Sequence, residues 1–279
     1  MIDPASFLSA FFVFLGNLLL IVYYLIEKNR EHWDQNAYAQ LDPEFLLRDW
    51  RWRQENRQLE VAGKAITALS WVILTAPILQ ICVVLSKGGE RLLWLHVTIA
   101  CIALGGAVTE IAAQLMHLGA FNAAYWCFNE FHLTGWYGSS DFVGLQTLEV
   151  VYRQAAGITL WVDSVEYLAF SVMFLLIFFS VNSMGGYPQN IGLFLGGFAF
   201  FIGLLSIADF VCYVLRFKFW VTASLVGRII AVMNRLIFIP LWLLILSCKL
   251  PSCTQAHKQE HEDNERSGHV IGDADAAFT

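Results

Sequence analysis

The chain has 279 residues, of which 57% are hydrophobic and 14% charged. A soluble domain is about one-quarter charged, so the composition excludes an ordinary soluble fold and implies an all-α, polytopic helical membrane bundle. Part of the formal charge of −6 comes from Glu260, Glu262, Asp263 and Glu265, and no basic patch suits a nucleic acid.

Six segments are predicted to cross a bilayer: about 7–26, 66–85, 92–119, 158–181, 191–215 and 221–248. They form a transmembrane domain over 1–250, followed by a polar, disordered tail over 251–279. The first segment has no basic n-region and no small-residue cleavage site after it, so it reads as a signal-anchor. Asp3 precedes it and Lys28 and Arg30 follow it, which favours an N-terminus outside.

Residues 27–64 are expected to be a polar connection. Within it Asp42-Pro43-Glu44 is a helix start, with Asp as cap, Pro in the first turn and an acid at the positive end. Glu44 and Arg48, Asp49 and Arg53, and Glu60 and Lys64 are spaced to pair at i,i+4. This helix reads as solvated, since its acids nearly balance its bases, rather than as lying on anionic lipid. Pro77 falls inside the second span, and Lys87-Gly88-Gly89-Glu90-Arg91 makes a tight turn into the third.

Residues 120–144 hold Asn122, Asn129, Glu130, His132 and Asp141 among aromatics, and are expected to be an interfacial connection. Residues 145–157 read as a helix with a Glu149–Arg153 pair, running into the fourth span. The connections 27–64, 120–157 and 216–220 carry ten Lys or Arg, whereas Lys87, Arg91, Lys249, Lys258 and Arg266 make five on the other side. That bias puts the N-terminus outside. It also places Cys248 and Cys253 outside, against their palmitoylation from the cytosol.

Polar residues inside the spans carry the functional question, because an ionisable group in a bilayer is costly and needs a partner or water. Glu110 and Glu166 each lie about 12 Å inside their spans, Asp163 about 7 Å and Asp209 about 9 Å, at the helical rise per residue. Arg228 and Arg235 share a predicted face of the last span and serve as counter-charges. Gln114 and His117 continue the Glu110 face and make a relay near the mouth. Gly192, Gly196 and Gly203 belong to a stripe of small residues that ends at Asp209 and reads as a helix-packing face.

Four acids against two arginines leave two negative charges over, which calls for protonation or a bound cation. The expected function is therefore a transporter or channel-like protein handling protons or a small cation through an inner-facing polar vestibule. In that reading Glu110 and Glu166 bind the ion, and Asp163 and Asp209 form its access path. The alternative is a non-catalytic receptor or assembly subunit whose buried charges lock the helices. Oligomerisation is compatible with either.

No nucleophile elbow, phosphate loop or embedded metal pair points to an enzyme, and no cofactor is implied. His257-Lys258-Gln259-Glu260-His261 matches a zinc-protease spacing but sits in the tail without a third ligand. No Lys falls inside a predicted span, which excludes a retinal Schiff base. If the orientation is right, impermeant reagents label a tag at residue 1 in intact cells and leave residues 40–60 untouched; the opposite pattern means an inverted topology.

Overall fold

A computed structural model describes residues 2–29, 40–86, 94–133, 143–183, 192–215 and 220–251, and these are helical almost throughout. The helices are α1 (Pro4–Asn29), α2 (Pro43–Leu85), α3 (Trp94–Leu133), α4 (Val143–Ser183), α5 (Gly192–Leu215) and α6 (Trp220–Met233). α6 passes through a π-helical stretch, Asn234–Phe238, into a last helix, α7, over residues 239–251. Six helical segments, α6 and α7 counting as one, are long and apolar enough to cross a membrane. The predicted tail, from residue 252 on, and most of the turns lie outside the described residues.

Two expectations are corrected. Residues 43–64 do not form a solvated helix: they are the first part of α2, which runs on for 43 residues and buries Phe45, Leu46, Trp50, Arg53 and Glu60. Nor does α3 end at residue 119. It runs on to Leu133, so most of the expected interfacial connection is helix. Both follow from packing. The mixed composition of these stretches hides one apolar face, and neighbouring helices cover it. The start of α2 is as expected: Asp42 accepts from the Phe45 N–H at 2.8 Å, with Pro43 in the first turn and Glu44 behind it.

Consecutive helices pack side by side, α2 also touches α4, and the π-helical stretch returns to α1 to close the circle. α2, α3 and α4 have 43, 40 and 41 residues. That makes each about 60 Å long, roughly twice a bilayer's hydrocarbon thickness of about 30 Å. Residues 43–64, 120–133 and 143–157 form what we term the extended end.

Each half has its own core. In the apolar half Trp71 stacks on Phe170 at 4.2 Å, and Trp242 donates its indole N–H to the Leu195 carbonyl at 3.1 Å. Asp3 clasps the far end: its N–H donates to the Ser247 carbonyl at 2.8 Å and its carboxylate accepts from the Ser6 N–H. At the extended end Trp50 is fully buried against Phe121, Phe128 and Tyr152, with Phe45, Leu46 and Leu145 around it.

Glycines set the close approaches. A Cβ at Gly16 would stand 2.9 Å from the Thr67 backbone nitrogen, so α1 and α2 cross nearly backbone to backbone. On α5, Gly203 lies against the Ser171 carbonyl and Leu175, and Gly196 against Val181, both on α4. Gly203→Leu should lower stability by about 1–3 kcal/mol through overpacking. Gly105→Leu, where a Cβ meets nothing within 4 Å, should be tolerated. Thermal melting of both variants in detergent checks this, and equal tolerance would count against the close α4–α5 contact.

Candidate functional site

The most heavily built polar site lies at the extended end, between α2 and α4. Arg53 Nη2 meets Asp49 Oδ2 at 2.8 Å, one turn earlier on α2. Its Nη1 reaches across to Glu149 Oε2 on α4 at 3.3 Å. Arg153 Nε closes the chain on Glu149 Oε1 at 2.7 Å. The Asp49 and Glu149 side chains have no exposed area and that of Arg53 has 4%. The Arg53 guanidinium sits 4.9 Å from the ring centres of both Trp50 and Tyr152, so aromatic faces take up what the carboxylates leave.

Seven residues further along α2, Glu60 Oε1 lies 3.0 Å from His117 Nε2 on α3. The Tyr23 hydroxyl of α1 also bonds Glu60, and Lys64 stands within electrostatic reach of both partners. Glu60, Lys64 and His117 are all buried. Three helices thus converge on one carboxylate. Around this centre Gln54 donates to Asn129 at 2.9 Å, and Arg57 bonds Asn122 while lying over the Tyr125 ring.

A second grouping lies between α4, α5 and the π-helical stretch. Arg235 Nη2 is 3.4 Å from Asp209 Oδ2, and the guanidinium lies 3.5 Å from the Tyr167 ring centre. Asn234 donates to Ser206 at 2.9 Å. A cavity of about 90 Å³ opens beside the ion pair, lined by Leu160, Ser164, Tyr167, Asp209, Phe210, Tyr213 and Arg235. Here 28% of the Arg235 side chain and 17% of Asp209 are exposed, unlike the sealed pair at Arg53. π-Helical turns inside α-helices recur at functional sites. This one places Arg235 toward α4 and α5.

The expected site residues divide among these groupings. Glu110 and Gln114 are buried together on α3, with Gln114 Nε2 donating to Glu110 Oε1 at 2.6 Å. His117 pairs with Glu60 and not with the acids of the spans. Glu166 is buried on α4, and the Asp163 side chain lies outside the described residues. Arg228 does not share the Arg235 face: it is exposed. Its neighbour Gly227 takes the position against α5, where a Cβ would come within 3.0 Å of Cys212. Gly192 begins α5, and its surroundings are outside the described residues.

Arg53, Glu149, Glu60, Lys64 and Tyr23 were not among the expected site residues, because all but Tyr23 lie in segments that read as connections, and Tyr23 is an uncharged residue of the first apolar segment. The i,i+4 spacings of Asp49–Arg53 and Glu149–Arg153 were visible, but nothing local showed that Arg53 joins them across helices. Among the described residues no group of three or more His, Cys, Asp or Glu could hold a metal ion.

The arrangement defines an all-helical protein with six helices long enough to cross a membrane and sealed ion pairs between them. Comparison with protein families, curated proteins and solved structures returns no match. Arg53→Met should remove the cation that buried Asp49 and Glu149 share and cost about 3–5 kcal/mol, whereas Arg51→Met, exposed one side of it, should stay within about 0.5 kcal/mol. Denaturant titration in detergent compares them; equal losses would remove Arg53 from the centre of the site.

Proposed function

We propose that the protein is a multi-pass integral membrane protein of the receptor or assembly-subunit kind, with no catalytic role. Its six apolar helices cross the bilayer with the N-terminus outside. The extended end then projects on the inner side, where α2, α3 and α4 together present a rigid helical surface to a partner. One observation carries this reading: in the Asp49–Arg53–Glu149–Arg153 chain every carboxylate is matched and three of the four side chains, Asp49, Arg53 and Glu149, are 0–4% exposed, with only Arg153 at the rim. Charges sealed from solvent and matched across helices hold register. A conducting path needs its charged groups to meet water.

One observation favours the second reading, a proton or small-cation transporter with an inner-facing vestibule. The Asp209–Arg235 pair borders a cavity and is partly exposed. Glu110 and Glu166, the expected ion-binding acids, do not line that cavity. Reconstitution into liposomes separates the two. Under the receptor reading, proton and sodium-22 fluxes equal those of protein-free liposomes. Flux above that baseline that falls at least tenfold in Asp209→Asn would replace the receptor reading with the transport one.

A further inference from the structure

The cavity between α4, α5 and the π-helical stretch is bordered by charges of both signs. Arg235 Nη2 and Asp209 Oδ2 meet in a single long contact of 3.4 Å. With all their contacts made, 28% of the Arg235 side chain and 17% of Asp209 remain open. Arg53, by contrast, meets two carboxylates and is 4% open.

Several contacts hold the two groups at the cavity. The π-helical turn shifts Arg235 out of the α-helical register of α6. Asn234 anchors that turn by donating to Ser206, three residues before Asp209 on α5. The Arg235 guanidinium lies 3.5 Å from the centre of the Tyr167 ring. A Cβ at Gly227 would stand 3.8 Å from Asp209 Oδ1, so α6 walls the carboxylate on one side. Ser164 gives its hydroxyl hydrogen to the Leu160 carbonyl at 2.8 Å.

The surroundings identify the kind of molecule that reaches this cavity. Trp161 on α4 packs edge-on against Tyr213 on α5, with ring centres 5.0 Å apart, and is 43% exposed. Tyr213 lines the cavity one turn beyond Asp209, close to the end of α5 at Leu215. Tryptophan and tyrosine collect at the membrane–water interface, level with lipid headgroups. Leu160, Val165 and Val214 are exposed around them, so the outer wall is apolar. A ligand that fits has its charges at the interface and an apolar body alongside the helices.

We propose that this cavity holds the headgroup of one phospholipid that joins a phosphate to a primary ammonium. The phosphate oxygens accept from Arg235, whose planar fork of donors matches phosphate geometry. The ammonium donates to the Asp209 carboxylate. A choline headgroup has no N–H to donate and three methyl groups to place in a cavity of about 90 Å³. A headgroup with phosphate alone meets repulsion from Asp209 with no ammonium to answer it. The acyl chains lie along the exposed apolar faces of α4 and α5. Of the function proposed above this uses only the crossing of the bilayer, and it requires neither a partner nor flux.

The test is thermal melting of the purified chain in detergent micelles with rising mole fractions of phosphatidylethanolamine, phosphatidylcholine or phosphatidylglycerol. With the ethanolamine lipid Tm should rise saturably, by several degrees once the lipid is about 100-fold above its dissociation constant. The other two lipids should give less than half that rise. Arg235→Met should abolish it, and Asp209→Asn should bring the ethanolamine lipid down to the choline level. Arg228→Gln, exposed on α6 and away from the cavity, should leave both the rise and the preference intact. Should the cavity variants fail to fold, native mass spectrometry of the unaltered chain from an equimolar mixture of the three lipids should show a single retained ethanolamine lipid. Equal rises with all three lipids overturn the proposal, as does a rise that survives Arg235→Met. Water-soluble phosphoethanolamine that matches the lipid's effect also overturns it, and gives the cavity to a free zwitterion. Resistance to alkaline carbonate extraction tests the bilayer crossing by itself, and liposome flux bears only on the transport reading, so each can fail without the others.

Discussion

The cost of an unmatched charge away from water governs this structure. A buried guanidinium must be surrounded by acceptors or the segment carrying it will not stay folded. Arg53 meets that demand with Asp49 from its own helix, Glu149 from α4, and the faces of Trp50 and Tyr152. Because Glu149 lies 96 residues away, satisfying Arg53 fixes how α2 and α4 stand relative to each other. Trp50, one turn before Arg53, then drops into the small core with Phe121 and Phe128. The ion pair and the aromatic core depend on one alignment.

The same demand is met differently at other depths. Near the middle of α2 the partner of Glu60 is a histidine, with Tyr23 adding a hydroxyl. Deeper in the bundle Asp209 and Arg235 are matched more loosely, at 3.4 Å, beside a cavity. The bundle is thus tightest at the extended end and has space between α4, α5 and the π-helical stretch. The small residues work in the other direction: Gly16, Gly106 and Gly203 let helices approach where no charge holds them.

Local signals in the chain were reliable. The Asp42 cap, the Asp49–Arg53 and Glu149–Arg153 spacings, and the run of residues 145–157 into the fourth apolar segment are all present as read. Each depends on residues within about one turn, and helical geometry relates those whatever surrounds them. The reading of 43–64 as solvated, and of the third apolar helix as ending at 119, went astray because polar content was averaged along the chain. A helix that hides one face in protein and shows another outward has the same average as a solvated connection.

The sequence by itself determined the helical class, the six apolar segments and the stretches where polar groups would be costly, because hydropathy and helical period are properties of neighbouring residues. Only the tertiary structure decided which charges meet. It matched Arg53 to Glu149, took His117 to Glu60, turned Arg228 outward while placing Arg235 beside Asp209, and buried Glu110 and Glu166. Those outcomes depend on the rotation and register of whole helices against one another. Packing at distant contacts such as Gly16 on Thr67 sets that register, and no window of neighbouring residues contains it.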